Sequence, residues 1–513
     1  VVSSAETVEQ IEVEGAAPTQ SVRSLRRVLA QGGATLGFAV VLERGFGFLA
    51  NLLAARAAGP QSFGAYSVVL ATAGTVANYA GAGIGSTAIR FSGKYPVASR
   101  GYRGFLRTII LVSVCSALLA AVLMLAGAGS FARVLLRNEA LVGVLRIAAV
   151  SAGALILLEC CRGLLIGQQK FRALILLSIV SGVGMLLILP VAAHISASAM
   201  IGGHAGVALL AVSSCALLSR RLGIVPATAR AEEVAGPGVR TIATFGLVQF
   251  GAVVGINIAS WWLASLVARA DVSLLQMGMY AVANQFRGLA SILPGMLAQV
   301  TYPLLTAETG HHYGGPDRVM LVNTFLATAL VIIFAGLAVV LLPWILPSLY
   351  GRAYVGAEVP SILLLATAIS HMGGTAAANR VSIVNLRALG VINGLWAVAV
   401  VLVGIWLVPK AGATGAAMAF FAGHLFSQLA VLLVLKQARA LPGGLLRLSL
   451  TGTFSAVVFA TLAYFRSLQP LHRGAWTIAL TASLLLFLFM LLHFGLKRGW
   501  LPAIRRSEFR ARA

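Results

Sequence analysis

The chain has 513 residues, 59% of them hydrophobic and 10% charged, whereas a soluble domain carries about 25% charged residues. Apolar blocks of about 20 residues recur from end to end, each long enough to cross a ~30 Å hydrocarbon core as a helix, with none of the short alternating segments of a membrane β-barrel. The composition therefore excludes an ordinary soluble domain, and the net charge of +24, carried mainly at helix ends, does not point to nucleic acid.

In chain order, residues 1–33 come first. They lack the basic-then-apolar order of a secretory signal: Glu6, Glu9, Glu12 and Glu14 precede the basic stretch SVRSLRRVLA. On a helix, Val22, Leu25, Val28 and Leu29 share one face, while Arg23, Arg26 and Arg27 lie largely off it. A short basic amphipathic helix on the membrane surface is expected here.

Hydropathy and Gly/Pro punctuation then predict an all-α polytopic membrane protein of about 14 spans. Six make an N-terminal lobe over 34–219: 34–58, 63–89, 105–129, 142–168, 172–193 and 197–219. A linker over 220–240 leads to a second lobe over 241–436, with spans at 241–268, 274–305, 319–346, 359–386, 390–408 and 412–435. Two further spans, 447–466 and 474–496, occupy 437–496, and 497–513 is a basic tail. Lys and Arg set the orientation. Of 38 such residues, 25 fall on the side holding both termini, 8 on the other and five within spans. Both termini are thus expected in the cytoplasm.

Two signatures recur about 210 residues apart. GAYSV at 64–68 matches GMYAV at 278–282, and GHAGVA at 203–208 matches GATGAA at 412–417. Six helices per repeat make parallel halves related by an axis along the membrane normal, a transporter arrangement with the substrate between them. The 55 glycines suit close helix approach. The four cysteines, Cys115, Cys160, Cys161 and Cys215, all fall in apolar stretches without metal-site spacing and read as small packing residues.

ANLLAARAAGPQSFGAYSVV (50–69) resembles the first interhelical junction of the polysaccharide transport branch of the multidrug/oligosaccharidyl-lipid/polysaccharide exporter superfamily, with Ala58 in place of the usual Leu. RGLLIGQQKFR (162–172) resembles that branch's link between helices 4 and 5, and GATGAA its start of helix 12. The resemblance covers about residues 34–436. It implies a flippase that moves polyprenyl-pyrophosphate-linked oligosaccharide to the periplasmic leaflet of the inner membrane by alternating access. The family's two lobes form a V-shaped cavity lined largely by helices 1, 2, 7 and 8. Membrane lipids, a polysaccharide polymerase and chain-length or export proteins are the implied partners, with no cofactor. A peptidoglycan-precursor flippase or a drug/cation antiporter of the same superfamily is the alternative. An enzyme acting on sugars would need paired carboxylates or a metal site, which the short loops do not offer.

Against that background the charges inside spans become candidate sites. Arg44 lies about 15 Å into the first span, and Asn51, seven positions on, shares its face at ~20°. Arg287 lies at mid-depth in the eighth span, with Asn284 and Ser291 near its face. An Arg fork suits phosphate, and intramembrane charges mark functional sites. Arg380, near the cytoplasmic end of its span, is a further substrate candidate or a side chain that snorkels. Glu43 and Glu159 are ion-coupling candidates. Their structural alternatives are neutralisation of Arg44 by Glu43 and an i,i+3 pair of Glu159 with Arg162. His371 reads as a packed histidine at a helix break, His311–His312 as a loop pair without further metal ligands, and Trp261–Trp262 as sugar-stacking or interfacial residues. Arg90, Lys94, Arg100, Arg103 and Arg107 form a solvated basic edge that could attract anionic head groups.

Overall fold

The computed structural model describes residues 22–498 apart from 82, 96, 98, 220, 222–238, 299–314 and 470–471. The acidic N-terminal segment, the His311–His312 pair and nearly all of the linker and basic tail lie outside the described residues. Every regular element among the described residues is helical. The N-terminal bundle comprises α1 (Val22–Gly81), α2 (Ile84–Lys94), α3 (Arg100–Ser130), α4 (Leu141–Gly167), α5 (Phe171–Ala193) and α6 (Ala197–Leu217). The C-terminal bundle comprises α7 (Val239–Ala270), α8 (Leu275–Ala290), α9 (Gly315–Ile345), α10 (Glu358–Val384) and α11 (Leu386–Gln437). To it are added α12 (Leu445–Leu468) and α13 (Arg473–Lys497).

Ten helices among the described residues are long and apolar enough to cross a membrane. Two of them carry two crossings each. The 45 residues Gly37–Gly81 would reach about 68 Å as one straight helix, twice what a bilayer core needs. Gly59, at φ 72° and ψ 169°, breaks that rod before Pro60. The 51 residues Arg387–Gln437 break likewise at Gly412, φ 53°, where only glycine sits without strain. The expected spans 1 and 2, and 11 and 12, are thus bent pairs. Helix α7 covers the expected span 7, while α8 covers only the first part of the expected span 8, whose residues 299–305 lie outside the described residues. At its start, α1 continues from Val22 into the first span without a backbone break, instead of forming a separate surface helix.

Local chemistry fixes several helix starts. Ser99 accepts from Tyr102 N at 3.1 Å, Ser196 from Ala199 N at 3.1 Å and Asn385 from Ala388 N at 3.0 Å, each satisfying a donor the first turn leaves orphaned. Asp271 caps α8 through Gln276 N at 2.9 Å and Ser273 N at 3.0 Å. Partial burial pushes its carboxyl up, but these bonds outweigh that and hold it below the usual carboxylate range.

Within the first bundle, α1 packs on α4 and α5, α3 on α4, and α6 on α4 and α5. Within the second, α11 packs on α7 and α10, and α10 on α8 and α9. The bundles meet where α1 lies along α7 and α8, and α2 along α7. Antiparallel order gives the assembly two ends, here called the basic end, where the described chain begins and finishes, and the far end. At the far end Gly64 and Gly278 face each other's chains. A Cβ on Gly64 would overlap Leu274 O, and one on Gly278 would overlap Pro60 O. The repeated Gly-x-Tyr motif is therefore the meeting point of the two repeats. Arg56 adds bonds to Ser348 O at 2.6 Å and Leu349 O at 3.3 Å, and Tyr354 Oη donates to Ala55 O at 3.0 Å.

The two final helices are tied to the C-terminal bundle by Arg466, 1% exposed. Its Nη2 lies 2.9 Å from Glu358 Oε1 and donates to Val339 O at 2.9 Å. Removing one partner of such a pair strands the other charge, whereas replacing both with apolar groups is close to neutral. Arg466→Met should therefore lose about 3–5 kcal/mol in unfolding titrations in mixed micelles. The Arg466→Met/Glu358→Met double variant should recover most of it.

Candidate functional site

A cavity of about 810 Å³ lies in the half of the N-terminal bundle toward the basic end. Its polar wall includes Glu43, Arg44 and Asn78 of α1, Ser86 of α2, Glu159 and Arg162 of α4 and Ser178 of α5. The C-terminal bundle contributes Asn257 of α7 to the lining. Glycines make the cavity's closely packed wall. A Cβ on Gly163 would lie 2.6 Å from Gly85 O, and one on Gly167 would overlap Ser92 Oγ, so α2 and α4 touch through backbone. In the 162–172 motif, Arg162 supplies the charge, these two glycines the packing, and Gln168 a hydrogen bond to Tyr102 Oη.

Arg162 is the hub of the cavity's charges. Its Nη2 donates to Glu43 of α1, and its Nη1 to Glu159 Oε1 at 2.9 Å. Ser178 Oγ donates to the other oxygen of Glu43 at 3.4 Å. Glu43 thus does not neutralise Arg44, as one sequence reading had it. A turn of 100° separates consecutive residues on a helix, so Glu43 is directed at α4 and Arg44 at open space. Arg44 is exposed to the cavity, and no carboxylate among the described residues pairs with it. The interaction of Glu159 with Arg162 has the expected i,i+3 form.

The other sequence candidates fall elsewhere. Asn51 donates to Gly47 O of its own helix at 2.8 Å and is not part of the cavity lining. Arg287 and Asn284 belong together, with Arg287 Nε donating to Asn284 Oδ1 at 2.8 Å, but within the C-terminal bundle. Arg380 is half-buried on α10, its Nε without a partner among the described residues. Arg44 is about 22 Å from Gly59 along α1, and Arg287 about 20 Å from Leu274 along α8, at 1.5 Å per residue. The two arginines therefore sit at similar depth below the far-end contact. Phe48 and Phe286, ring centroids 6.2 Å apart, bridge the bundles just above them.

Arg287 is accompanied by residues that sequence reading did not assemble. Its guanidinium lies 4.9 Å from the Phe420 ring. Phe420 lies 4.8 Å from His424, which is 4.5 Å from His371 and 5.2 Å from Trp396. His371 thus packs against a second histidine from α11, in a helix that continues through Gly374. The signal was the i,i+4 spacing of Phe420 and His424, which places both on one helical face. Trp261 is half-buried and takes part in a contact between the bundles. Its Nε1 donates to Thr72 Oγ1 of α1 at 3.0 Å, joining the two bundles. Arg90 lies 4.5 Å from the Phe245 ring, a contact between the bundles at the basic end. Cys160 and Cys215 are buried, and all four cysteines are free thiols.

Residues 29–307 match the model of a family described as polysaccharide biosynthesis protein. No curated protein sequence matches the chain. A solved structure of the lipid II flippase MurJ in an inward closed conformation superposes with a TM-score of 0.62 at 13% identity, over 91% of this chain and 99% of that one. An inward-facing multidrug resistance MATE transporter gives 0.59 at 16% identity, over 78% and 95%. An outward-facing one gives 0.56 at 16%, over 83% and 99%. At such identities the likeness is one of fold.

Because Arg162 answers two carboxylates, Arg162→Gln should cost about 2 kcal/mol in micellar unfolding. Glu159, 57% exposed, forms the solvent-screened half of the network, so Glu159→Gln should cost less than about 1 kcal/mol.

Proposed function

This chain belongs to the polysaccharide biosynthesis protein family, and from that premise we propose that it is a lipid-linked oligosaccharide flippase. Its cargo is a polyprenyl-pyrophosphate-linked repeat unit. It moves this unit from the cytoplasmic to the periplasmic leaflet of the bacterial inner membrane, with both termini in the cytoplasm, for surface polysaccharide synthesis. A polymerase and chain-length or export proteins then act on the delivered units.

The observation that carries this reading is Arg44, a cation without a carboxylate partner among the described residues, on the wall of a cavity of about 810 Å³ inside a membrane bundle. A sugar head with many hydroxyls cannot cross hydrocarbon unsolvated, since each unpaired polar group costs several kcal/mol. A polar cavity solves that problem, and a guanidinium with free N–H groups suits the pyrophosphate. Arg287 and Asn284, outside the cavity lining, would meet the cargo from the other bundle, and Arg380 lies nearer the basic end. Asn51, bonded to its own helix, contributes only after that bond opens.

Alternating access suits the uneven closure of the two ends. The far-end contact uses backbone carbonyls, at Ala55, Ser348 and Leu349. At the basic end, Phe91 meets Phe245 ring to ring, centroids 5.9 Å apart. Glu43 and Glu159 are the coupling candidates. Protonating Glu43 would release Arg162 from α1 and loosen the α1–α4 tie, giving an ion a means of altering the cavity.

Cells depleted of the protein should accumulate finished repeat units on their lipid while surface polymer falls. Wild type should restore both, whereas Arg44→Ala should leave polymer at least tenfold lower at equal protein level. Peptidoglycan precursor in place of repeat units would assign the cargo to the alternative flippase reading. Drug sensitivity with neither lipid accumulating would indicate antiport. In reconstituted vesicles, Glu43→Gln should flatten the pH dependence of transport while Glu159→Gln keeps it. A full pH dependence in Glu43→Gln would remove Glu43 from coupling.

A further inference from the structure

A second recess, of about 170 Å³, lies between the last turn of α4, the first turns of α5 and the last turn of α6, toward the basic end. Leu165, Leu177 and Cys215, none more than 5% exposed, make its floor, and Leu176, 44% exposed, stands at its lip. The hydroxyl in its lining, Ser214 Oγ, donates to Leu210 O of its own helix at 2.8 Å, so the interior is apolar. The recess shares no lining residue with the cavity. On α5, Leu174 and Ser178 line the cavity, whereas Ala173, Leu176, Leu177 and Val180, an i, i+3, i+4, i+7 set, line the recess. Helix α5 is thus a partition between the two. Lys170, Arg172 and Arg221, all exposed, surround the mouth. Arg172 precedes Leu176 by one helical turn on the same face, Lys170 immediately precedes α5, and Arg221 follows shortly after Leu218 of the lining. No carboxylate pairs with these cations among the described residues, and the sequence has no Asp or Glu between Glu159 and Glu232.

We propose that this recess holds one acyl chain of an anionic phospholipid, with the lipid phosphate on the three cations at the mouth. The order of the chemistry selects the ligand. The apolar slot opens beside exposed leucines, Leu176 and Leu217, the latter 84% exposed, which belong in hydrocarbon. The cations stand at the ends of the same helices, at the level of the head groups. A phospholipid presents this same sequence of groups, chain first and phosphate above it. Three cations with no carboxylate to balance them favour a head group of net negative charge, because a zwitterionic head would bring a further cation against them. A free anion would leave the apolar slot unfilled. Under the proposed function the cargo's head occupies the cavity, on the other face of α5, so the recess is a separate site. A chain bound in it would brace α5 from behind. The same helix holds Glu43 through Ser178 Oγ at 3.4 Å, so the anionic lipid of the surrounding leaflet would stiffen one wall of the cavity.

The test uses the full chain in nonionic micelles, titrated with dioleoyl phosphatidylglycerol and read by native mass spectrometry. Wild type should retain one molecule of it at least tenfold more tightly than dioleoyl phosphatidylcholine. The Lys170→Gln/Arg172→Gln/Arg221→Gln variant should lose that preference. Cys215→Phe, which fills the recess from its floor, should weaken retention at least tenfold with all three cations in place. Arg100→Gln/Arg103→Gln/Arg107→Gln, on the separate basic edge, should retain the lipid as wild type does. Apparent melting temperatures within a few degrees of wild type verify folding, and Ala173→Leu, which fills the recess from α5, serves where Cys215→Phe does not fold. Equal retention of the two lipids by wild type overturns the site. So does an unchanged preference without the three mouth cations, or unchanged retention in the filled recess. Displacement by glycerol phosphate at equal concentration would reduce the recess to a small-anion site, and displacement by polyprenyl phosphate would assign it to the cargo. Either result overturns the phospholipid assignment.

Discussion

A charge inside a membrane bundle has to be answered by another charge, by hydrogen-bonding backbone or by something that comes and goes. That constraint orders the interior of this protein. Arg162 is answered by Glu43 and Glu159, and Arg466 by Glu358 and two carbonyls. Arg56 is answered by the carbonyls of Ser348 and Leu349. Each of these fastens one helix to another. Arg44 and Arg287 are left without carboxylates among the described residues, at matching depth in opposite bundles. The fixed pairs build the frame, and under the proposed function the unanswered pair is where a transient anion would complete it.

Much of the fold was legible because lipid reduces the problem to length and hydropathy. Runs long enough to span give helices, and glycine and proline mark the bends. The parts that sequence obscured are continuities. Nothing local says that the backbone at Gly59 or Gly412 kinks within a rod or that the basic stretch from Val22 joins the first span. Those outcomes depend on what the neighbouring helices allow. The repeat was legible as a spacing, but its role was not. That Gly64 and Gly278 press on each other's chains is a fact of tertiary approach, invisible in either motif alone.

The site was legible in its residue types and less so in its pairings. Helical geometry placed Arg44 at mid-depth and Glu159 beside Arg162. It misdirected Glu43, whose partner is 119 positions away on α4. Sequence distance hides such partners, and depth matching is the signal that could have found this one, because Glu43 and Arg162 lie at similar levels of antiparallel helices. His371 was visible singly, while His424, Trp396 and Phe420 acquire meaning only when α10 and α11 come together. The Ala-Arg and Phe-Gly-x-Tyr residues of the first junction turned out to serve contact between bundles, through Arg56 and Gly64, with the cavity lying elsewhere.

The reciprocal approach of Gly64 and Gly278 bears on how such a molecule can change over time. A duplicated chain is free to let its halves drift apart, and these halves have drifted, one gathering mixed charges around Arg162 and the other leaving Arg287 without a carboxylate among the described residues. At this crossing neither copy has that freedom. A methyl group gained by one half would strike the backbone of the other, not a side chain able to give way. Compensation would require moving a whole helix. The crossing is therefore a fixed point shared by two inheritances: each half can evolve its own chemistry, but neither can alter this contact alone.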